Sequence, residues 1–196
     1  MTFVLATANP GKIREMREIF AGSGIETATR LELGIDVEVE ETGSTFIENA
    51  LLKAKAICGA SGLPAIADDS GLMVDALGGA PGVYSSSYGG DGLDGAERYK
   101  YLLENMRGVE DRSAKYVCTI ACAFPDGSIV TAAGECRGAI AKAPRGAGGF
   151  GYDPVFLVHG KDRTMAELAP DEKNKVSHRG EAIRRFLYEI RERGIG

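Results

Sequence analysis

The stretch Ala65-Ile66-Ala67-Asp68-Asp69-Ser70-Gly71-Leu72 decides how this chain is read. A short apolar run meets two adjacent acids and then Ser-Gly. Carboxylates are costly to bury, so a strand ending in two of them is expected to open onto water, a metal or a cationic partner. In an open α/β sheet, that strand end is where ligands sit. Side chains alternate along a strand, so at most one of Asp68 and Asp69 faces a given cleft. Asp-Ser-Gly is also ordinary turn chemistry, and a turn is the plainer alternative for these residues taken alone.

The segments on either side supply the rest of an α/β pattern. Phe3 to Thr7 reads as a buried strand, and Ala8-Asn9-Pro10-Gly11-Lys12 turns it into a helix. Asn9 suits the N-cap and Pro10 the first helical position. Ile13, Met16, Ile19 and Phe20 form the apolar stripe of that helix, which Gly22-Ser23-Gly24 ends. Thr45-Phe46-Ile47-Glu48 matches a capping box, and the helix behind it is predicted to run to about Ala60. Ile47, Ala50, Leu51, Ala54, Ile57 and Cys58 are its expected buried side, while Asn49 and Lys53, four apart, share another face. Strands are predicted at Ala65 to Asp69 and near Leu72 to Val74. A long polar loop over Pro81 to Gly95 and a helix to Met106 follow.

Lys115 to Phe124 and Ser128 to Ile140 read as paired strands around Pro125-Asp126-Gly127-Ser128. Tyr116, Cys118, Ile120, Cys122 and Phe124 share one face of the first. Val155 to Val158 is a further strand. The last helix, with Ser177 as cap, carries the stripe Ile183, Phe186, Leu187 and Ile190. Paired antiparallel strands among helices imply a mixed sheet.

Length and composition narrow the function classes. The chain has 196 residues, 44% hydrophobic and 26% charged, as in an ordinary globular protein. One compact unit, possibly bilobed, is the expected organisation. No apolar run approaches a membrane span, and Met1-Thr2-Phe3-Val4 reads as a first strand rather than a signal peptide. A net charge of −5 argues against broad binding to nucleic acid or anionic membrane. Cys58, Cys118, Cys122 and Cys136 form no CxxC pair, so reduced thiols in the cytosol are the simplest reading.

Four further places hold candidate chemistry. Lys12 sits in a first helical turn, against the helix dipole, beside backbone N–H groups suited to phosphate; a solvated lysine is the plainer alternative. Glu38, Glu40 and Glu41 precede the capped helix, either as a solvated acidic loop or as partners to Asp68 or Asp69 around a divalent metal. Mg²⁺ favours one or two carboxylates plus phosphates and water. Lys173-Asn174-Lys175-Val176-Ser177-His178-Arg179 gathers basic groups at the start of the last helix, again against its dipole, which weighs towards an anion or a carbonyl-bearing ligand. Phe150, in a glycine-rich loop, is either core or a stacking platform for a base, and Asp153 either orients a ligand or makes a turn.

Taken together, Thr7-x-Asn9-x-x-Lys12, Glu40-Glu41-Thr42-Gly43-x-Thr45-Phe46-x-Glu48-Asn49-Ala50, Ala67-Asp68-Asp69-Ser70-Gly71-Leu72, Gly149-Phe150-Gly151-Tyr152-Asp153-Pro154 and Ser177-His178-Arg179-Gly180 resemble the inosine triphosphate pyrophosphatase family. Gly78-Gly79-Ala80-Pro81-Gly82 also resembles it. The resemblance spans nearly the whole chain, as one bilobed domain over 1–196. It implies a mixed α/β fold with an elongated sheet flanked by helices and two lobes around a central cleft. It implies a cytoplasmic homodimer that binds neither nucleic acid nor membrane. The activity implied is Mg²⁺-dependent hydrolysis of ITP, dITP and XTP to the monophosphate and pyrophosphate.

By the same resemblance, Thr7, Ala8, Asn9, Pro10, Gly11 and Lys12 would hold the triphosphate, with Lys53 nearby. Glu40 and Asp69 would bind the metal, and Asp69 would be the base for the attacking water. Ser70 would touch the substrate. Phe150, Gly151, Tyr152, Asp153, Lys173, His178 and Arg179 would form the base pocket, with Arg179 and His178 as donors to a carbonyl at purine C6. A septum-inhibitor type pyrophosphatase acting on modified pyrimidine nucleotides, and a nucleotide-binding regulator without turnover, are the competing readings.

Overall fold

The computed structural model describes residues 1–195. Its strands are β1 (Thr2–Leu5), β2 (Glu26–Thr29), β3 (Ala65–Val74), β4 (Ser113–Ala123), β5 (Ile129–Ile140) and β6 (Phe156–Val158), hydrogen-bonded in the order β2-β1-β3-β4-β5-β6. The helices are α1 (Pro10–Phe20), α2 (Phe46–Ser61), α3 (Gly95–Asn105), α4 (Pro170–Val176) and α5 (His178–Glu192). β1 pairs in parallel with β2 and with β3, whereas β5 and β6 are antiparallel. β4 and β5 are neighbours joined by a short turn over 124–128, too short for a parallel crossover. The sheet is therefore mixed, as expected.

The described residues divide into two compact units, one of 1–69, 118–134 and 178–195, the other of 70–117 and 135–177. In the first unit, local sequence sets the starts of α1 and α2. The Asn9 amide oxygen accepts from the N–H groups of Gly11 and Lys12 at 2.9 and 3.1 Å. Thr45 and Glu48 close the capping box, and Gly62, at φ 67°, ends α2 in the left-handed conformation that glycine adopts without strain. The two faces of the sheet bury different sets. Phe3, Leu5, Ile66, Cys118 and Ile120 pack with Met16 and Phe20 of α1 and Ile183, Phe186 and Ile190 of α5. Val4, Ala6, Ala65 and Ala67 pack with Ala50, Ala54 and Ile57 of α2. Phe20 and Phe186 meet edge to face, with centroids 6.3 Å apart. Truncating a fully buried phenylalanine such as Phe186 would cost about 3–5 kcal/mol.

Strand alternation then assigns the two acids. Ile66 lies on the α1/α5 face, and Ala65 and Ala67 lie on the α2 face. Asp68 thus follows Ile66 onto the first face and Asp69 follows Ala67 onto the second.

In the second unit, Leu72, Val74, Tyr116, Ile140 and Phe156 pack with Leu102 of α3. The segment 81–94 is polar but anchored. Arg98 donates to the carbonyls of Tyr88 and Leu93, the Leu72 N–H donates to Ser85 Oγ at 2.9 Å, and the Tyr152 hydroxyl donates to the Ser85 carbonyl at 2.9 Å.

Three expectations change. Asp68-Asp69-Ser70-Gly71 neither turns nor ends a strand: β3 runs unbroken from Ala65 to Val74. Each acid meets cations on its own face, so the backbone can continue without delivering the carboxylates to bulk water. Lys173 to Lys175 belong to α4, a separate short helix, rather than to the start of the last one. β2, on the edge of the sheet, was not expected. Among the described residues no helix is long and apolar enough to cross a membrane.

Candidate active site

Adjacent carboxylates on β3 anchor two clusters in the first unit. On the α1/α5 face, Asp68 pairs with Lys12 at 3.0 Å and with Arg179 Nη2 at 3.0 Å. Arg179 also pairs with Glu15 of α1. All but Lys12 are essentially buried, and the Lys12 side chain retains 16% exposure. Burial alone would push the Asp68 pKa up. The charges of Lys12 and then Arg179 outweigh it and hold the carboxyl well below the usual range. Burial likewise opposes the Arg179 charge, but Asp68 and Glu15 more than restore it.

On the α2 face, Asp69 shares its two oxygens between two residues one helical turn apart. Lys53 donates to Oδ1 at 3.3 Å and Asn49 donates to Oδ2 at 3.3 Å. Lys53 also reaches Glu41 at 3.0 Å. Here burial is the largest effect and it wins: the Asp69 pKa is raised despite Lys53 and Lys12, with Glu41 pushing the same way as burial. One acid of the pair is thus locked as an anion and its neighbour is moved towards the range in which a carboxylate accepts a proton well.

Lys12 pairs with Asp68 on one face and Lys53 with Asp69 on the other. Thr7 and Asn9 also form the expected turn, the Asn9 N–H donating to Thr7 Oγ1 at 3.1 Å. The N–H groups of Gly11 and Lys12 bond the Asn9 side chain, as its N-cap reading implies. Glu40 is exposed and its carbonyl accepts from Thr42; its neighbour Glu41 is the acid that reaches Lys53. Ser70 follows Asp69 in β3 and is half-buried.

Arg179, the expected donor to a purine carbonyl, lies in the Asp68 cluster. Its guanidinium is 2% exposed and donates to Glu15 and Asp68. His178, at the first position of α5, is also buried.

The second unit holds another cluster. The Asp153 carboxylate is buried and accepts from the Phe150 N–H at 2.9 Å and from the Lys173 ammonium through Oδ2. Lys173 lies 5.0 Å from the centroid of the Phe150 ring, within range of a cation–π contact. Gly149 has φ 69°, and a Cβ there would run into the Asp153 carboxylate, which accounts for a glycine at this point. Phe150 and Gly151 keep partial exposure, while Tyr152, Asp153 and Lys173 are buried.

Glu15 and Asn49 are the two residues of these clusters that no sequence pattern marks with a role. Glu15 pairs with a residue far along the chain, for which no local pattern exists. Asn49 was visible only as a neighbour of Lys53 on the helix face.

Asp69 and Glu41, both on Lys53, offer carboxylate oxygen, a ligand type that suits Mg²⁺ or Mn²⁺ rather than zinc. Among the described residues no three Asp, Glu, His or Cys side chains form a metal cage. Mg²⁺ held by one or two carboxylates and a substrate's phosphates needs no such cage.

Known proteins with these features place the chain. The family model described as the Ham1 family matches residues 3–189. A curated "dITP/XTP pyrophosphatase" of Bacillus subtilis is 46% identical over 185 residues, 93% of each chain. Another of that name from Thermus thermophilus is 51% identical over 189 residues, 95% of this chain and 90% of the relative. Among solved structures, the Ham1 protein of Staphylococcus aureus superposes with a TM-score of 0.88 at 40% identity, covering 98% of this chain and 100% of that one. A "Nucleoside-triphosphatase / dITP/XTP pyrophosphatase" from Mycobacterium abscessus gives 0.76 at 41% identity, covering 95% and 99%. The mixed sheet, the order of the motifs and these matches agree: the chain belongs to the Ham1 family.

Proposed function

We propose that this protein hydrolyses non-canonical purine nucleoside triphosphates, ITP, dITP and XTP, to the monophosphate and pyrophosphate. The observation that carries the reading is Asp69, a buried carboxylate with raised pKa gripped by Lys53 and Asn49. It has the properties of a general base for water. The names of the curated relatives support the substrate class.

In this reading the turn Thr7 to Lys12 takes the triphosphate, with Lys12 and Lys53 offsetting its charge. Asp69 accepts the proton of a water that attacks the α-phosphorus, and the P–O bond to the β-phosphate breaks, releasing pyrophosphate. Asp69 and Glu40 would hold Mg²⁺, which when bound neutralises charge on the phosphate oxygens. Asp68 does not touch substrate: it keeps Lys12 and Arg179 in place. The Phe150 ring stacks on the base, and Lys173 beneath it strengthens the platform. A cytoplasmic homodimer belongs to the same family reading.

The test is pyrophosphate release from a panel of triphosphates with Mg²⁺. Turnover of dITP and XTP well above dATP, dGTP and pyrimidine triphosphates, abolished in Asp69→Asn, is expected. Preference for a modified pyrimidine nucleotide, or binding without turnover, would overturn the proposal.

A further inference from the structure

We infer that Asn49 is a positioning residue that locks Asp69 and the segment Glu40-Glu41-Thr42-Gly43 into one arrangement; its effect on turnover rests on the function proposed above. Three observations in the first unit converge on it. Asn49 is 3% exposed, in the first turn of α2. Its amide nitrogen donates to Asp69 Oδ2 at 3.3 Å, and its amide oxygen accepts from the Gly43 N–H at 2.8 Å. A Cβ built at Gly43 would lie 2.6 Å from Asn49 Oδ1 and 2.6 Å from Glu48 Cβ, so only glycine lets the segment approach this closely.

An amide suits this place because it is donor at one end and acceptor at the other. A carboxylate would face Asp69 with like charge, and an aliphatic side chain would leave both partners unmet. Lys53, four residues on, repeats the pattern: it bonds the other oxygen of Asp69 and also Glu41. The two side chains form parallel ties from one helix face to the same carboxylate and the same acidic segment. With Oδ2 held by Asn49 and Oδ1 by Lys53, the carboxylate cannot rotate freely. The acids before α2 are held at a set distance from it.

Two variants separate the ties. Asn49→Asp keeps the acceptor for Gly43 but loses the donor to Asp69; Asn49→Leu loses both. Without nucleotide, amide exchange at Gly43 is expected to speed up roughly tenfold in Asn49→Leu and to stay near the parent rate in Asn49→Asp. With dITP and Mg²⁺, kcat is expected to fall about 100-fold in both variants, as for a misplaced reacting group, while KM moves by less than about threefold. A purely structural role would lower thermal stability without that split. Gly43→Ala, which leaves Asn49 itself intact, is expected to lower kcat in the same way, so a poorly folding Asn49 variant does not remove the test. Equal Gly43 exchange in parent and Asn49→Leu would overturn the tie whatever the substrate. Parent-like kcat in Asn49→Asp would overturn the positioning of Asp69. A parent protein that does not turn over dITP would count against the proposed function, while the exchange measurement still decides the tie.

Discussion

Neutralising Asp68 and neutralising Asp69 should have opposite consequences for stability, although the residues are adjacent. In Asp68→Asn the shape is kept and the charge removed, leaving Lys12 and Arg179 without their shared anion. Breaking a buried pair from one side costs about 3–5 kcal/mol. Arg179 keeps Glu15, and the partly exposed Lys12 can reach water, so the lower end applies. For a chain of this size about 3 kcal/mol lowers the melting temperature by roughly 6–12 °C.

The pH dependence follows from the direction of each shift. The native Asp68 pKa is lowered, so its contribution is present above the ordinary carboxylate value and is lost as pH falls through the native one. The gap between parent and Asp68→Asn should therefore be full at pH 7 and shrink in acid. The native Asp69 pKa is raised, so its contribution is full at low pH and lost as pH rises through the native value. Asp69→Asn should therefore melt no lower than the parent at pH 7, with Lys53 still held by Glu41. Calorimetric melting of the three proteins at pH 7, pH 4 and pH 2 reads both effects, the Asp69 gap changing between pH 7 and pH 4 and the Asp68 gap shrinking below pH 4. Equal losses in the two variants, or an Asp68→Asn protein that melts with the parent at pH 7, would refute the reasoning.

Phe150→Leu should raise KM for dITP roughly 5- to 100-fold through lost stacking, with kcat little changed, in steady-state kinetics. The thiols of Cys58, Cys118, Cys122 and Cys136 are buried, and burial pushes the Cys118 thiol up to about 12. None should react with a thiol reagent at pH 8 in the native protein, and all four should react on unfolding, as counted by mass spectrometry.

What the sequence could and could not reveal has a physical pattern. Asn9 with Pro10, and Thr45 with Glu48, signal helix starts through bonds that close within four residues, so both were legible. Alternation along β3 was legible too, and it correctly sent Asp68 and Asp69 to different faces. That β3 continues past the acids was not legible, because the cations that permit it lie on α1, α2 and α5. The Arg179–Glu15 pair spans 164 positions and leaves no local trace. β2 escaped notice because Glu26-Thr27-Ala28-Thr29 is a short edge strand with little apolar content. The acidic segment was legible as a segment, but its geometry distinguishes Glu41, on Lys53, from exposed Glu40. α4 was hidden because Pro170–Val176 spans only 7 residues, with a single buried side chain, Lys173.

The central claim is that water activated at Asp69 attacks the α-phosphorus of the nucleotide. The most direct measurement is hydrolysis of dITP in ¹⁸O-labelled water with mass analysis of both products. The account predicts a single label in the monophosphate and none in pyrophosphate, with no reaction in Asp69→Asn. Label in pyrophosphate, or release of orthophosphate, would contradict it.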